Sequence, residues 1–197
     1  MSANRHKGRI KMSKLAVVFP GIGYTVDKPL LYFSRKIAAE NGYEIKLLPY
    51  AGFPAKILGD REKMEESYRI ALTQSREMLS DTVFSAYDDI LFIGKSIGTA
   101  VAAQIAAEIP QPVRLLLYTP LEETFLFPLK DSIVFTGLAD PWVGKGSSRI
   151  PQLCEERGIP CHVIPGANHS LETGEAQADL RNLVEIMEKT EQFIRRV

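Results

Sequence analysis

Short apolar segments alternate along this chain with longer amphipathic ones, and this alternation limits the folds available to it. β-Branched and aromatic residues dominate the short segments, which is typical of buried strands. We predict strands at residues 15–19, 43–48, 89–93, 113–118, 132–136 and 161–164. Because helices separate them, these strands predict an α/β fold in which a mostly parallel sheet of about six strands lies between two helical layers.

The longer segments carry helical spacing of apolar residues or helix-stop signals. We predict helices at residues 28–41, 61–79, 96–108 and 174–196, and a further helix within 144–157. The chain has 197 residues, no internal repeat and no linker, so residues 14–197 are predicted to form one domain after a basic tail at 1–13. In such a sheet, ligands bind beyond the carboxyl ends of the strands, where reactive residues are therefore expected.

The composition excludes several classes of partner and location. Basic and acidic residues both number 24, so the chain lacks the positive surplus that nucleic acids or anionic membranes attract. Cys154 and Cys161 suggest reduced thiols rather than a zinc site or a disulfide. The basic start, in which Met12 is an alternative initiator, lacks the apolar stretch of a secretory signal. We therefore expect a cytoplasmic protein, monomeric or homodimeric, without nucleic-acid or membrane partners.

Residues 94–98 read GKSIG and match the pattern G-x-S-x-G between a predicted strand and a predicted helix. The central serine of this pattern lies on a sharp, strained turn, so the residues two positions away must be small. The turn lifts the Ser96 hydroxyl above the sheet edge, and the following helix directs its N-terminal N–H groups to the same place. Ser96 is therefore the candidate nucleophile; the alternative is a serine that only caps the helix.

Two nucleotide-binding motifs compete for nearby glycines, and both fail on spacing. A P-loop also ends in Gly-Lys-Ser, but it needs a glycine where this chain has Asp89, and strand residues follow Asp89. A dinucleotide fingerprint starting at Gly21 and Gly23 lacks its third glycine, since Val26 occupies that position. Neither motif is predicted here.

A nucleophilic serine requires a general base, and the chain has three histidines. His6 lies in the basic tail, and His162 lies within the sixth predicted strand as a packed or surface residue. His169 follows that strand, at the carboxyl edge where Ser96 also lies. His169 is therefore the candidate base.

The acid that orients this base should also follow a strand. Asp140 comes four residues after the fifth strand, in the sequence GLADP, although aspartate before proline is also common in plain turns. Asp131 precedes its strand and so lies at the wrong edge. Asp140 is the candidate acid, and the weaker alternatives are Glu122, Glu123 and Glu172.

An acyl-transfer site also needs N–H donors for a developing oxyanion. The N–H of Ile97, which follows the candidate nucleophile, is the first candidate. The second should come from the glycine-containing loop after the first strand, where Ile22 is preferred and Gly23 and Tyr24 are alternatives.

The segments FPGIGY, GKSIGT, FTGLADPWV and GANHSLE resemble the α/β-hydrolase superfamily, and the resemblance spans the chain from Leu15 onward. The order Ser96, Asp140, His169 is also the order of that family. The resemblance implies a reduced α/β-hydrolase fold without a cap domain, since the cap position corresponds only to residues 120–130. It resembles the small, lidless members near the dienelactone-hydrolase-like group, and the cysteine nucleophile of that group is replaced here by serine.

This resemblance implies hydrolysis of an ester, thioester or amide of a small acyl substrate through an acyl-enzyme, with no metal or organic cofactor. Without a lid, the site is expected to suit short acyl groups. Its candidate walls, which could equally serve ordinary packing, are Tyr24, Phe125, Phe127 and Trp142. The alternatives are an acyltransferase or peptidase that uses the same three residues, or a non-catalytic binding protein with this fold.

Overall fold

The computed structural model describes residues 13–143 and 149–196, and within them six strands form one parallel sheet. The strand order is β2-β1-β3-β4-β5-β6. The strands are β1 (Lys14–Phe19), β2 (Tyr43–Leu47), β3 (Asp89–Lys95), β4 (Arg114–Tyr118), β5 (Asp131–Gly137) and β6 (Cys161–Ile164). The predicted six-stranded α/β architecture is therefore confirmed. β3 runs two residues further than predicted, so that Ser96 follows the strand directly.

Helices cover both faces of this sheet. They are α1 (Pro29–Glu40), α2 (Arg61–Leu79), α3 (Ile97–Glu108), α4 (Ile150–Glu155) and α5 (Ala176–Arg195). The helix predicted within 144–157 corresponds to α4, while residues 144–148 and most of the basic tail lie outside the described residues. None of the helices in the described ranges is long and apolar enough to cross a membrane.

Side chains of successive strand residues point to opposite faces of the sheet, which divides the apolar core into two layers. Phe92 packs on the α2 and α3 side, whereas Leu91 and Ile93 pack on the α1 and α5 side. All three residues are fully buried. A sheet covered on both faces explains why this strand is apolar without alternation.

The connection between β4 and β5 is short and leaves the carboxyl edge of the sheet uncovered by a cap. Its regular structure is a single 3₁₀ turn, Glu122–Leu126. The hydroxyls of Thr99 and Thr124 lie 2.7 Å apart and attach this turn to α3. Within the described ranges, the expected lidless arrangement is therefore confirmed.

Candidate active site

Ser96 lies on the sharp turn between β3 and α3. Its backbone has φ 55° and ψ −126°, a strained conformation for a residue with a side chain. The backbone N–H of Ser96 donates to the carbonyl oxygen of Tyr118 at 3.0 Å, which fixes the turn to β4. The Ser96 hydroxyl makes no capping hydrogen bond to α3 within the described chain. The geometry therefore does not favour the alternative of a serine that only caps the helix.

The two glycines of the GKSIG segment are required by close backbone approach. A Cβ atom on Gly98 would lie 2.3 Å from the carbonyl oxygen of Phe19, at the end of β1. A Cβ atom on Gly94 would lie 2.8 Å from the Cα atom of Thr99. Small residues at both positions therefore allow α3 to begin directly against the ends of two strands.

His169 lies on a loop that follows β6, and Asn168 organises this loop. The side-chain oxygen of Asn168 accepts hydrogen bonds from the backbone N–H of Ser170 at 2.7 Å and of Glu172 at 3.2 Å. The backbone N–H of Asn168 donates in turn to the carbonyl oxygen of Glu172 at 2.9 Å. These local bonds hold the histidine beside them in one place.

Asp140 follows β5 and lies against the loop that carries His169. A Cβ atom on Gly137 would lie 2.2 Å from the carbonyl oxygen of Ala167, so only glycine permits this approach. The backbone N–H of Ala139 donates to the same oxygen at 2.9 Å. Asp140 itself is buried, with 1% of its surface exposed.

The three side chains meet in a continuous hydrogen-bonded chain. Nε2 of His169 lies 2.7 Å from the Ser96 hydroxyl oxygen, and Nδ1 of His169 lies 2.6 Å from a carboxylate oxygen of Asp140. The other carboxylate oxygen accepts the backbone N–H of Trp142 at 2.9 Å. An ionised Asp140 therefore places the imidazole proton on Nδ1 and leaves Nε2 free to accept the serine proton.

Several opposing effects act on the pKa of His169, and their sum lowers it. Burial has the largest influence, because it disfavours the charged imidazolium. The hydrogen bond and charge of Asp140 act in the opposite direction, while the positive charge of Lys95 lowers the pKa further. A lowered pKa keeps the imidazole neutral, as a general base must be, into mildly acidic solution.

Lys95, inside the GKSIG segment, is a buried cation beside this chain of residues. Only 1% of its surface is exposed, and its Nζ lies 4.8 Å from the centre of the Tyr24 ring. Burial lowers the pKa of Lys95 to about 7, although the charge of Asp140 partly opposes the shift. The sequence marks Lys95 only as part of the GKSIG segment, because its burial depends on residues far along the chain.

Solved structures match this chain, whereas no model of a known protein family and no curated protein sequence matches it. A lidless α/β serine hydrolase from Xanthomonas campestris is 16% identical with a TM-score of 0.58, covering 94% of this chain and 82% of its own. An esterase from Pyrococcus furiosus is 14% identical with a TM-score of 0.62, and the match covers 94% and 83% of the two chains. A serine hydrolase homologue from Coxiella burnetii is 19% identical with a TM-score of 0.58, with 94% and 86% covered.

This chain has the α/β-hydrolase fold. The fold predicted from the resemblance is thereby confirmed, including the lidless form that the Xanthomonas structure shares. At these low identities the likeness concerns the fold alone. The closer relation to the dienelactone-hydrolase-like group stays a prediction.

In this α/β-hydrolase fold, a cleft of about 230 Å³ opens over Ser96. Ile22 and Ile97, the candidate oxyanion donors, both line it, and so do the alternatives Gly23 and Tyr24. The backbone N–H of Gly21 is occupied within its own turn, where it donates to the carbonyl oxygen of Tyr24 at 3.1 Å. The candidates for the second donor, Ile22, Gly23 and Tyr24, lie in the loop just beyond Gly21, and the roles of all candidate donors stay predictions.

The four candidate wall residues lie in three different places. Tyr24 and Trp142 line the cleft, and the Trp142 ring centre lies 5.4 Å from that of His169. Phe127 lines a neighbouring groove that also touches Ile97. Phe125 lines neither of these cavities: it is buried, and the Arg157 guanidinium lies 5.5 Å from its ring centre. Phe125 lies in the 3₁₀ turn and lines a separate depression together with Leu153 of α4, and its part in substrate binding stays a prediction.

Among the described residues, the acid that contacts His169 is Asp140, whereas Glu122, Asp131 and His162 have other partners. Glu122 lies 3.4 Å from Arg149 as an ion pair, and Asp131 lies 3.7 Å from Arg114 at the opposite edge of the sheet. His162 packs against Phe135, with 5.1 Å between the ring centres. Within residues 13–143 and 149–196, no cluster of acidic, histidine and cysteine side chains could hold a metal ion.

Proposed function

We propose that this chain is a serine hydrolase that cleaves an acyl ester, thioester or amide through Ser96, His169 and Asp140. The supporting observation is the unbroken chain of hydrogen bonds, 2.7 Å and 2.6 Å long, from the Ser96 hydroxyl through His169 to Asp140. Nucleophile, base and orienting acid are the three parts that acyl transfer requires. The cleft above them gives a substrate carbonyl direct access to Ser96.

In the first half of the reaction, the Ser96 oxygen forms a bond to the acyl carbon while Nε2 of His169 takes the serine proton. Asp140, which has no exposed side-chain surface, stabilises the resulting imidazolium. The N–H groups of Ile97 and Ile22 hold the oxyanion, an interaction worth about 3–4 kcal/mol per donor. The bond to the leaving group then breaks, and His169 returns the proton to that group.

In the second half, the same residues hydrolyse the acyl-enzyme. His169 takes a proton from a water molecule, and the hydroxide attacks the acyl carbon. The bond to Ser96 breaks, the serine oxygen recovers its proton from His169, and a carboxylic acid leaves. No step requires a metal or an organic cofactor.

A fluorophosphonate probe tests this proposal, because it reacts covalently with an activated serine. We expect one adduct on the wild type and none on Ser96→Ala, measured by intact mass. Hydrolysis of p-nitrophenyl acetate should fall about 10⁴-fold or more in Ser96→Ala, since such catalytic residues act as a unit. The control is Ser85→Ala at the other edge of the sheet, where Ser85 is exposed; it should label like the wild type.

The alternatives give different results in the same assays. If the wild type labels no better than Ser96→Ala, the non-catalytic binding protein is favoured. If added alcohols or amines capture most of the acyl group at concentrations far below that of water, the chain is an acyltransferase. Cleavage of peptides in preference to esters would indicate a peptidase.

A further inference from the structure

A second and larger cavity, here called the α2–α3 groove, adjoins the catalytic cleft. It has a volume of about 640 Å³, against about 230 Å³ for the cleft itself. Cavities of this size accommodate drug-sized ligands. Its apolar lining comes from α2, α3 and the turn after β4, and includes Met64, Ile97, Ala100, Leu121, Leu126 and Phe127.

The groove and the cleft lie side by side and share two lining residues. Met64 and Ile97 line both cavities. Ile97 directly follows the candidate nucleophile, so a substrate whose carbonyl lies at Ser96 has the groove on the other side of the Ile97 side chain. This adjacency favours the substrate itself as the occupant of the groove, rather than a separate ligand.

The polar side chains that line the groove do not favour the binding of a charged ligand. On its floor, the Tyr68 hydroxyl donates to the side-chain oxygen of Gln104, which satisfies both groups. At its rim, the charges of two basic side chains, Arg61 and Arg69, balance those of two acidic ones, Glu65 and Glu123. Arg61 and Glu65 form a direct ion pair at 3.1 Å. An uncharged chain therefore fits this groove better than an anion or a cation.

We propose that the α2–α3 groove binds a long, unbranched apolar chain of the ester substrate, which extends from the carbonyl group at Ser96. This proposal rests on the proposed hydrolase function and specifies its substrate class. The absence of a lid predicts short acyl groups, whereas the groove adds room for a longer chain. The chain belongs to either the acyl group or the alcohol, and the experiment separates these two sources.

The test uses two series of esters with the wild-type protein. One series is p-nitrophenyl esters of acids from acetate to dodecanoate, and the other is acetates of alcohols from ethanol to dodecanol. Burial of each methylene contributes about 0.8 kcal/mol, so kcat/KM should rise about fourfold per methylene, until the groove is full, in whichever series enters it. A kcat/KM that is flat or falling with chain length in both series would overturn the proposal.

A wall variant localises the effect to the groove. Leu126 is 79% exposed at the groove wall, so Leu126→Asn should not disturb folding. We expect kcat/KM for the longest favoured ester to fall on the order of tenfold, a substantial part of what burying a leucine contributes. Acetate hydrolysis should change less than twofold. The matched control is Leu180→Asn, since Leu180 is 57% exposed on α5, the helix that covers the other face of the sheet.

The outcomes distinguish this proposal from the proposed function. If the proposed hydrolase function is wrong, the wild type labels no better and hydrolyses acetate no faster than Ser96→Ala, whatever residue stands at position 126. If labelling and acetate hydrolysis are normal but Leu126→Asn treats all chain lengths like the wild type, the groove proposal fails alone. Equal effects of Leu126→Asn and Leu180→Asn would also count against the groove.

Discussion

Both edges of the parallel sheet hold buried charged groups, but their surroundings differ. At the amino edge, Nη1 of Arg114 donates to the Tyr43 hydroxyl at 2.9 Å and pairs with Asp89 at 3.3 Å. Arg114 also donates to the carbonyl oxygens of Phe193 and Ile194, which end α5. At the carboxyl edge, the chain from Asp140 through His169 ends instead at the Ser96 hydroxyl, in an open cleft.

We propose that this difference separates a stabilising network from a reactive one. At the amino edge, each charged group contacts a partner inside the protein, so the network ties strands β2, β3 and β4 to α5. At the carboxyl edge, Asp140 is saturated but the last member, Ser96, keeps a side open to the cleft. We therefore expect substitutions at the carboxyl edge to reduce activity and substitutions at the amino edge to reduce stability.

The largest expected effect is that of Asp140→Asn on activity. The amide oxygen can still accept the N–H of Trp142, but its NH₂ group would donate to Nδ1 of His169. That donation places the imidazole proton on Nε2, where it cannot accept the serine proton. We expect kcat for p-nitrophenyl acetate to fall about 10³–10⁴-fold, with little change in unfolding midpoint.

Asp131→Asn is the matched control for this substitution. Asp131 starts the same strand that leads to Asp140, but it is exposed at the amino edge. Its activity should stay within about twofold of the wild type, since its charge is far from the cleft and screened by solvent. Similar activity losses in the two variants would break the distinction between the edges.

Arg114→Met tests the stabilising side of the comparison. It removes the cation that neutralises Asp89, which is 7% exposed, and leaves that carboxylate buried beside Tyr43. Breaking such a pair from one side costs about 3–5 kcal/mol in the free energy of unfolding, measured by urea titration. Once corrected for the folded fraction, kcat should remain close to that of the wild type.

The control for Arg114→Met is an exposed ion pair elsewhere in the molecule. Arg76 and Glu108 lie 2.6 Å apart, with 52% and 42% of their side chains exposed. Arg76→Met should cost less than about 1 kcal/mol, because solvent screens such pairs. If both arginine variants lose the same stability, the amino-edge network has no special role.

Local patterns were sufficient to predict much of this molecule. The apolar segments located all six strands, because a strand buried on both faces must be apolar throughout. The GKSIG segment marked Ser96, since the turn and its small neighbours are adjacent in the chain. Asp140 and His169 were found because the carboxyl ends of parallel strands share one edge of the sheet.

The remaining features depend on contacts between distant segments. Gly137 contacts Ala167, and this contact brings the loop of Asp140 against the loop of His169. No local pattern in the sequence shows that these two residues are close. The orientation of Phe125 depends on the 3₁₀ turn and on Arg157, so the sequence alone could not separate it from Phe127. The burial of Lys95 likewise depends on Tyr24 and on the loops after β5 and β6.

Lys95 is the carboxyl-edge counterpart of Arg114, but it acts differently. Arg114 contacts the carboxylate of Asp89 directly, whereas the Lys95 ammonium packs on the Tyr24 ring and influences Asp140 and His169 through its charge. Among the described residues, Tyr24 and Glu172 are also close by; burial above all, with the charge of Glu172, raises the pKa of Tyr24 to about 12, so its hydroxyl stays neutral. A neighbouring cation of this kind lowers the pKa of His169 through its charge.

Lys95→Met should therefore have the smallest effect on activity, and that effect should be specific to its pH dependence. Because burial lowers the Lys95 pKa to about 7, its ammonium is charged in the mildly acidic range where His169 titrates. That charge disfavours the imidazolium, so its removal should raise the His169 pKa and move the acidic limb of the kcat/KM profile to higher pH. NMR titration of the His169 ring measures the same shift directly.

The control for Lys95→Met is Lys189→Met, because burial and, to a smaller extent, the charge of Lys189 on α5 lower the pKa of the other described histidine, His162. It should raise the His162 pKa and leave the activity profile in place. A Lys95→Met profile that is unmoved, or displaced to lower pH, would mean that the buried amine only fills space beside Tyr24. In that case the two edges would differ only in their access to solvent, and the charge of Lys95 would have no effect on the pKa of His169.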